Sequence, residues 1–146
     1  MASLELKNKT VVVSGAANGI GAAIVVGLLR EGAFPVGIDI QPFSGSELER
    51  RTRRFKKGRL EFIEGDASDE DGMRVALSRF GIVHGLVNNA GLLGGDKKHG
   101  GIKPDTLRKM MDAHVVSALV LTQSVRDRMP EGGSIVNIGS IETIMA

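Results

Sequence analysis

The chain of 146 residues contains no cysteine, no tryptophan and no tyrosine. The first absence removes disulfides and thiolate metal sites, and it suits a reducing compartment. The second and third leave five phenylalanines as the whole aromatic complement, too few for a base-stacking platform, so single-stranded nucleic acid is not an expected partner. They also mean that a reaction requiring a phenol must take it from another source. Long hydrophobic runs are missing as well: the apolar stretches are short and broken by Gly, Ser or charge, which excludes a helical membrane span within this sequence. The first residues, Met1-Ala2-Ser3-Leu4-Glu5-Leu6-Lys7, lack the basic-then-apolar layout of a secretory signal. The expectation is a cytoplasmic globular domain, with about 70% of its unfolded surface removed from water.

Charge of one sign is not in excess overall, since the net charge is +2, but it is unevenly spread. Arg50, Arg51, Arg53, Arg54, Lys56, Lys57 and Arg59 crowd one short segment, read as a solvated helix and turn rather than a nucleic-acid surface. His84 and His99 have no carboxylate or second histidine at ligand spacing, so no metal site is expected.

What the sequence does have is twenty glycines and a regular alternation. Short runs rich in Val, Ile and Phe at 10–14, 35–40, 60–64, 85–88 and 134–138 predict strands buried on both faces. Between them lie helical stretches. One runs from Gly19 to Glu31, with Ile20, Ile24 and Leu28 on one side and Gly32 to end it. A second follows Ser68 and the acidic first turn Asp69, Glu70, Asp71, reaching about Phe80. The longest spans 105–129, with Pro104 near its first turn. Strand, helix, strand, repeated, predicts right-handed crossovers and a doubly wound parallel sheet of the Rossmann type in one domain over 1–146. Pro35 at the head of the second strand is a minor discord, because proline removes a ladder donor.

The run Ser14-Gly15-Ala16-Ala17-Asn18-Gly19-Ile20-Gly21 follows the apolar Thr10-Val11-Val12-Val13 directly. A β-branched run that turns through glycine into an alanine-rich helix aims backbone N–H groups and a helix N-terminus at a phosphate. Asp39 ends the second strand 24 positions after Gly15, near the spacing at which an acid accepts the hydroxyls of an adenosine ribose. Asp66 and Ala67 follow the third strand, and Asn88-Asn89-Ala90-Gly91 closes the fourth. All lie at strand C-termini, the edge where open parallel sheets bind ligands.

With these motifs the whole chain resembles the short-chain dehydrogenase/reductase family. Gly15, Gly19 and Gly21 match its nucleotide loop, with Ser14 in place of the commoner threonine. The Asn-Asn-Ala-Gly motif is unaltered, and Gly133-Ser134-Ile135-Val136-Asn137-Ile138-Gly139-Ser140 looks like its fifth strand ending in the active-site serine. The resemblance implies hydride transfer between a nicotinamide and an alcohol or carbonyl carbon. It implies that Gly15, Asn18, Gly19, Ile20 and Gly21 surround the pyrophosphate, that Asp39 binds the adenosine ribose, and that Asp66 and Ala67 meet the adenine. Asn89, Ala90 and Gly91 would lie along the cofactor ribose, and Asn88 would tie neighbouring strands. A carboxylate at Asp39 repels a 2′-phosphate, so NAD is expected in preference to NADP.

Two departures stand out. The family's Tyr-x-x-x-Lys pair is expected roughly a dozen residues beyond Ser140, past Ala146, so this chain is expected to be a cofactor-binding portion that turns over nothing alone. His114 stands where the family has an asparagine on the long helix; a histidine there is a candidate proton relay beside Ser140. An open edge at the fifth strand and a long helix bearing Val115, Val116, Leu119, Val120 and Leu121 lead us to expect self-association or a homo-oligomer. The alternative function is a noncatalytic nucleotide-binding or partner-docking module. Coding sequence beyond Ala146 would separate the two, since a Tyr-x-x-x-Lys pair there favours the enzyme.

Overall fold

Each strand is a short stretch built around apolar, often β-branched residues. In the computed structural model, which describes residues 5–93 and 102–140, these form β1 (Thr10–Ser14), β2 (Phe34–Asp39), β3 (Glu61–Glu64), β4 (Gly85–Asn88) and β5 (Ser134–Asn137). Most of the glycine-rich loop at 92–101, with His99, lies outside the described residues. The helices are α1 (Gly19–Arg30), α2 (Glu47–Thr52), α3 (Glu70–Ser78), α4 (Pro104–Met111) and α5 (Ser117–Arg126). All strand pairs are parallel, in the order β3-β2-β1-β4-β5, which is the doubly wound α/β sheet expected.

The two-residue period of a strand splits the core into two layers. Val11 and Val13 of β1 face α1 and α2, packing with Ala22, Val25, Val26, Leu29 and Leu48. Val12 faces the other way, joining Val36, Ile38 and Leu86 of the sheet to Met73 and Leu77 of α3 and Val120, Leu121 and Val125 of α5. Burial on both faces explains why β1 and β2 read as near-continuous apolar runs.

Several local expectations are corrected. The face of α1 turned to the sheet is centred on Gly21, Ala22, Val25, Val26 and Leu29; of the expected stripe, Ile24 and Leu28 are half-buried and pack along its edge, whereas Ile20 is 64% exposed. The small residues at 21 and 22 let the helix approach β1 closely, so that side wins. Helix α3 is capped by Asp69, whose Oδ1 accepts from Gly72 N–H at 3.1 Å, whereas Ser68 turns back onto Asp66. Strand β2 begins at Phe34, which places Pro35 second. Phe34 N–H donates to Lys9 on the β1 side, so the missing Pro35 donor falls on the β3 side, where pairing starts only at Val36 and Glu61. The discord therefore leaves no gap in the ladder.

The basic segment begins in α2, which carries Arg50 and Arg51 and is started by Ser46, whose Oγ accepts from Glu49 N–H at 3.0 Å; the other basic residues follow the helix. Arg50, Arg53, Arg54, Lys56 and Lys57 are exposed, as expected of a solvated face. Arg59 is instead pinned to Gly32 O at 2.8 Å. The long helix is not uniform: between α4 and α5 the residues Asp112–Val116 make a π-helical turn. Val120 and Leu121 are core residues under the sheet, while Val115 and Leu119 stay exposed. Every residue of β5 is exposed, and among the described residues it pairs only with β4.

Candidate functional site

Chain order and strand order together locate a crevice. From β1 the chain moves outward to β2 and β3, then returns across the sheet to β4 on the other side of β1. Connections thus leave the carboxyl ends of β1 and β4 in opposite directions, and such a switch point is where open α/β sheets receive ligands.

The β1–α1 loop is shaped by its glycines. Gly15 has φ +65°, and a Cβ there would come within 2.9 Å of Asn89 Nδ2 and 3.0 Å of Ala90 Cα. At Gly21 a Cβ would run into the Gly15 carbonyl, so only glycine lets α1 sit down on the loop. Gly19 has φ +55°, yet nothing lies within 4 Å of where its Cβ would be. It is an open, left-handed position at the head of a twelve-residue helix with no acid in its first turn, an arrangement that favours an anion. Asn18 and Ile20 beside it are exposed.

Three strand ends are stitched around this loop. Buried Ser14 accepts on Oγ from the N–H groups of both Asn89 and Ala90, 3.0 Å each. Asn89 Nδ2 returns bonds to the Ser14 and Gly15 carbonyls at 3.0 and 3.2 Å. Ala16 N–H donates to Ile38 O at 3.1 Å, and Asp39 Oδ2 accepts from Ala17 N–H at 2.9 Å. Asp39 Oδ1 accepts from Gln41 N–H at 2.9 Å, so the carboxylate is fixed beside the loop on both oxygens. Asn88 does tie strands: its Nδ2 donates to Asn137 Oδ1 across β4 and β5 at 2.8 Å.

The remaining predicted residues are placed unevenly. Gly65 N–H donates to Asp39 O, which sets the end of β3 beside that of β2. Beyond it, Asp66 is exposed and accepts from Ser68, while Ala67 is buried against the core. Ile138 N–H donates to Asn88 O, so Ser140 lies just past the β4 and β5 ends. His114, in the π-helical turn, reaches back across the chain: its Nε2 is 3.1 Å from Leu92 N and 3.0 Å from Leu92 O. The ring also lies where a Gly91 Cβ would be, 2.6 Å from Cε1, so its place is a clasp on the Asn89–Gly91 turn. Among the described residues no three His, Cys, Asp or Glu gather as a metal site. No described helix is long and apolar enough to cross a membrane.

Glu47 is the site residue that no motif marked. Its Oε2 accepts from Gly19 N–H at 2.9 Å and its Oε1 pairs with Arg51 at 3.0 Å. That amide, then Arg51, holds the carboxyl below its ordinary range. Only the capping pattern Ser46-x-x-Glu49 hinted that a helix would start here.

Comparison with known proteins agrees with this geometry. The family model described as short chain dehydrogenase matches residues 9–146. An uncharacterized oxidoreductase of Methylorubrum extorquens is 32% identical, the match covering 95% of this chain and 57% of that protein. A farnesol dehydrogenase of Aedes aegypti is 31% identical over 91% of this chain and 57% of its own length. The solved structure of a short-chain dehydrogenase/reductase from Serratia marcescens superposes with a TM-score of 0.80 at 32% identity, over 94% of this chain and 58% of that one. The chain thus spans about half the length of the curated relatives it matches. From its glycine loop to its fifth strand, this chain belongs to the short-chain dehydrogenase family.

Proposed function

We propose that this chain is the cofactor-binding part of a nicotinamide-dinucleotide-dependent oxidoreductase acting on an alcohol or carbonyl compound. The observation that carries the reading is the open, left-handed Gly19 at the head of α1, with Asp39 fixed across the same loop. The residues fit the group: a β-carbon at Gly15 or Gly21 would crowd the loop's own backbone, while at Gly19 there is room for a phosphate. Gly15, Asn18, Gly19, Ile20 and Gly21 would hold the pyrophosphate, Asp39 the adenosine ribose, Asp66 and Ala67 the adenine side, and Asn89, Ala90 and Gly91 the second ribose. A dinucleotide bound there would supply the hydride acceptor or donor.

The chain's own residues do the rest. Ser14 and Asn89 lock the β1 and β4 ends together, so the two halves of the crevice keep one geometry. Ser140 orients the substrate oxygen, and His114 positions the Asn89–Gly91 turn through Leu92. No side chain here can serve as a phenol acid, since the sequence has no tyrosine, so we infer binding without turnover by this chain alone. The Asp39 carboxylate disfavours a 2′-phosphate, and NAD is the cofactor we assign. Among the described residues the outer edge of β5 has no partner strand, and with exposed Val115 and Leu119 this favours self-association, which sedimentation tests.

The absence of tryptophan allows a direct assay by NADH fluorescence. Saturable enhancement is expected, and Asp39→Ala should weaken NADH more than NADPH. No change at millimolar NADH overturns the site, and an equal loss for both cofactors overturns the ribose assignment.

A further inference from the structure

Glu47 does the work of an anion at the head of α1. Asn18 occupies the N-cap position of that helix but gives it no side-chain cap. Its Oδ1 accepts instead from Glu47 N–H at 3.1 Å. The next amide, Leu48 N–H, donates to Ala17 O at 2.9 Å, and the Leu48 side chain is fully buried. Glu47 is therefore delivered to the loop by its backbone on one side and by a core residue on the other. Its carboxylate then holds the Gly19 amide. That amide is the donor beside the open space where the proposed cofactor would set a phosphate.

Two anions cannot both take one N–H at hydrogen-bond distance without strong repulsion. We propose that Glu47 is an affinity-setting residue of the cofactor site: its carboxylate competes with a phosphate of the dinucleotide for the Gly19 amide, and it must swing aside before that phosphate can bind. The inference rests on the reading of this loop as a dinucleotide site. The Glu47 side chain is one-third exposed, and Arg51 one turn along α2 gives the displaced carboxylate a partner to keep. The contact thus satisfies the head of α1, and it sets a threshold that an incoming phosphate must exceed.

The test is NADH fluorescence titration at fixed ionic strength on four proteins: wild type, Glu47→Gln, Glu47→Ala and Asp39→Ala. Glu47→Gln keeps size and hydrogen-bonding capacity while removing the charge, and its Kd for NADH is expected to fall by about fivefold. Glu47→Ala should move in the same direction. A residue serving only to brace the loop would have the opposite sign, since its loss weakens binding. An unchanged or raised Kd in both Glu47 variants, with wild type binding and Asp39→Ala weakened, overturns the competition and leaves the cofactor reading standing. Absence of saturable binding in wild type and both Glu47 variants overturns the two together. Far-UV circular dichroism on each variant confirms that the fold is retained.

Discussion

Replacing Ser14 by alanine removes one oxygen and strands two amides. Ser14 is 1% exposed at the end of β1, and its Oγ accepts from Asn89 and Ala90 N–H at 3.0 Å each. Alanine fits the space but offers no acceptor. A buried donor left without a partner costs about 1–3 kcal/mol, and both amides are only partly shielded, so the low end gives about 2 kcal/mol for the pair. With a urea slope of about 2 kcal/mol per molar, the unfolding midpoint should fall by about 1 M. The assay is urea unfolding followed by far-UV circular dichroism, because the sequence has no tryptophan or tyrosine to report by fluorescence. Asn89→Ala removes the return bonds to Ser14 and Gly15, and the double variant should lose less than the two single losses together, since both act on one β1–β4 connection. A midpoint shift below about 0.2 M for Ser14→Ala would refute the reasoning.

Gly21→Ala forces a β-carbon into the Gly15 carbonyl, so α1 must lift from the sheet at about 1–3 kcal/mol, and NADH binding should be lost with it; wild-type titration curves would contradict this. Leu48→Ala, at a fully buried position, should cost about 2–4 kcal/mol and speed amide exchange at Gly19 by loosening α2; unchanged exchange would disconnect α2 from the loop. His84 accepts from Thr10 N–H on Nδ1 at 3.1 Å, which requires an unprotonated ring, and burial, then Lys9, lowers its pKa. A base whose pKa falls on folding binds protons better unfolded, so its contribution is intact above the unfolded value of about 6.5 and declines as pH drops toward the folded value. Urea midpoints should therefore fall with acidification below that value, and less steeply in His84→Gln; identical slopes in the two proteins would rule His84 out as a source.

The features legible in the sequence were those that depend on backbone geometry or strict periodicity. Five strands, their parallel order of use and the glycine loop could be read because each is short, local and marked by residues with few alternatives, Gly15 and Gly21 above all. The centre of the buried face of α1 is less legible, because Ile20 outranks Ala22 in hydrophobicity whereas close approach to β1 favours the smaller side chain. The roles of Ser14 and Glu47 were hidden because each depends on an amide distant in sequence: Ser14 reaches 75 and 76 positions along the chain, and Glu47 reaches back 28. His114 falls within the long helical stretch that the sequence predicts, but its clasp on Leu92 accompanies a widened turn that periodicity does not announce.

The π-helical turn at Asp112–Val116 has a consequence for length variation. Such a turn carries one residue more than an α-helical turn, closing i to i+5 rather than i to i+4. Deleting one residue from it lets regular bonding resume while Val120, Leu121 and Val125 keep facing the sheet. The same deletion inside α1 would rotate Val25, Val26 and Leu29 by about 100° away from β1. This helix therefore has a place where the loss of one residue is absorbed without turning Val120, Leu121 and Val125 out of the core.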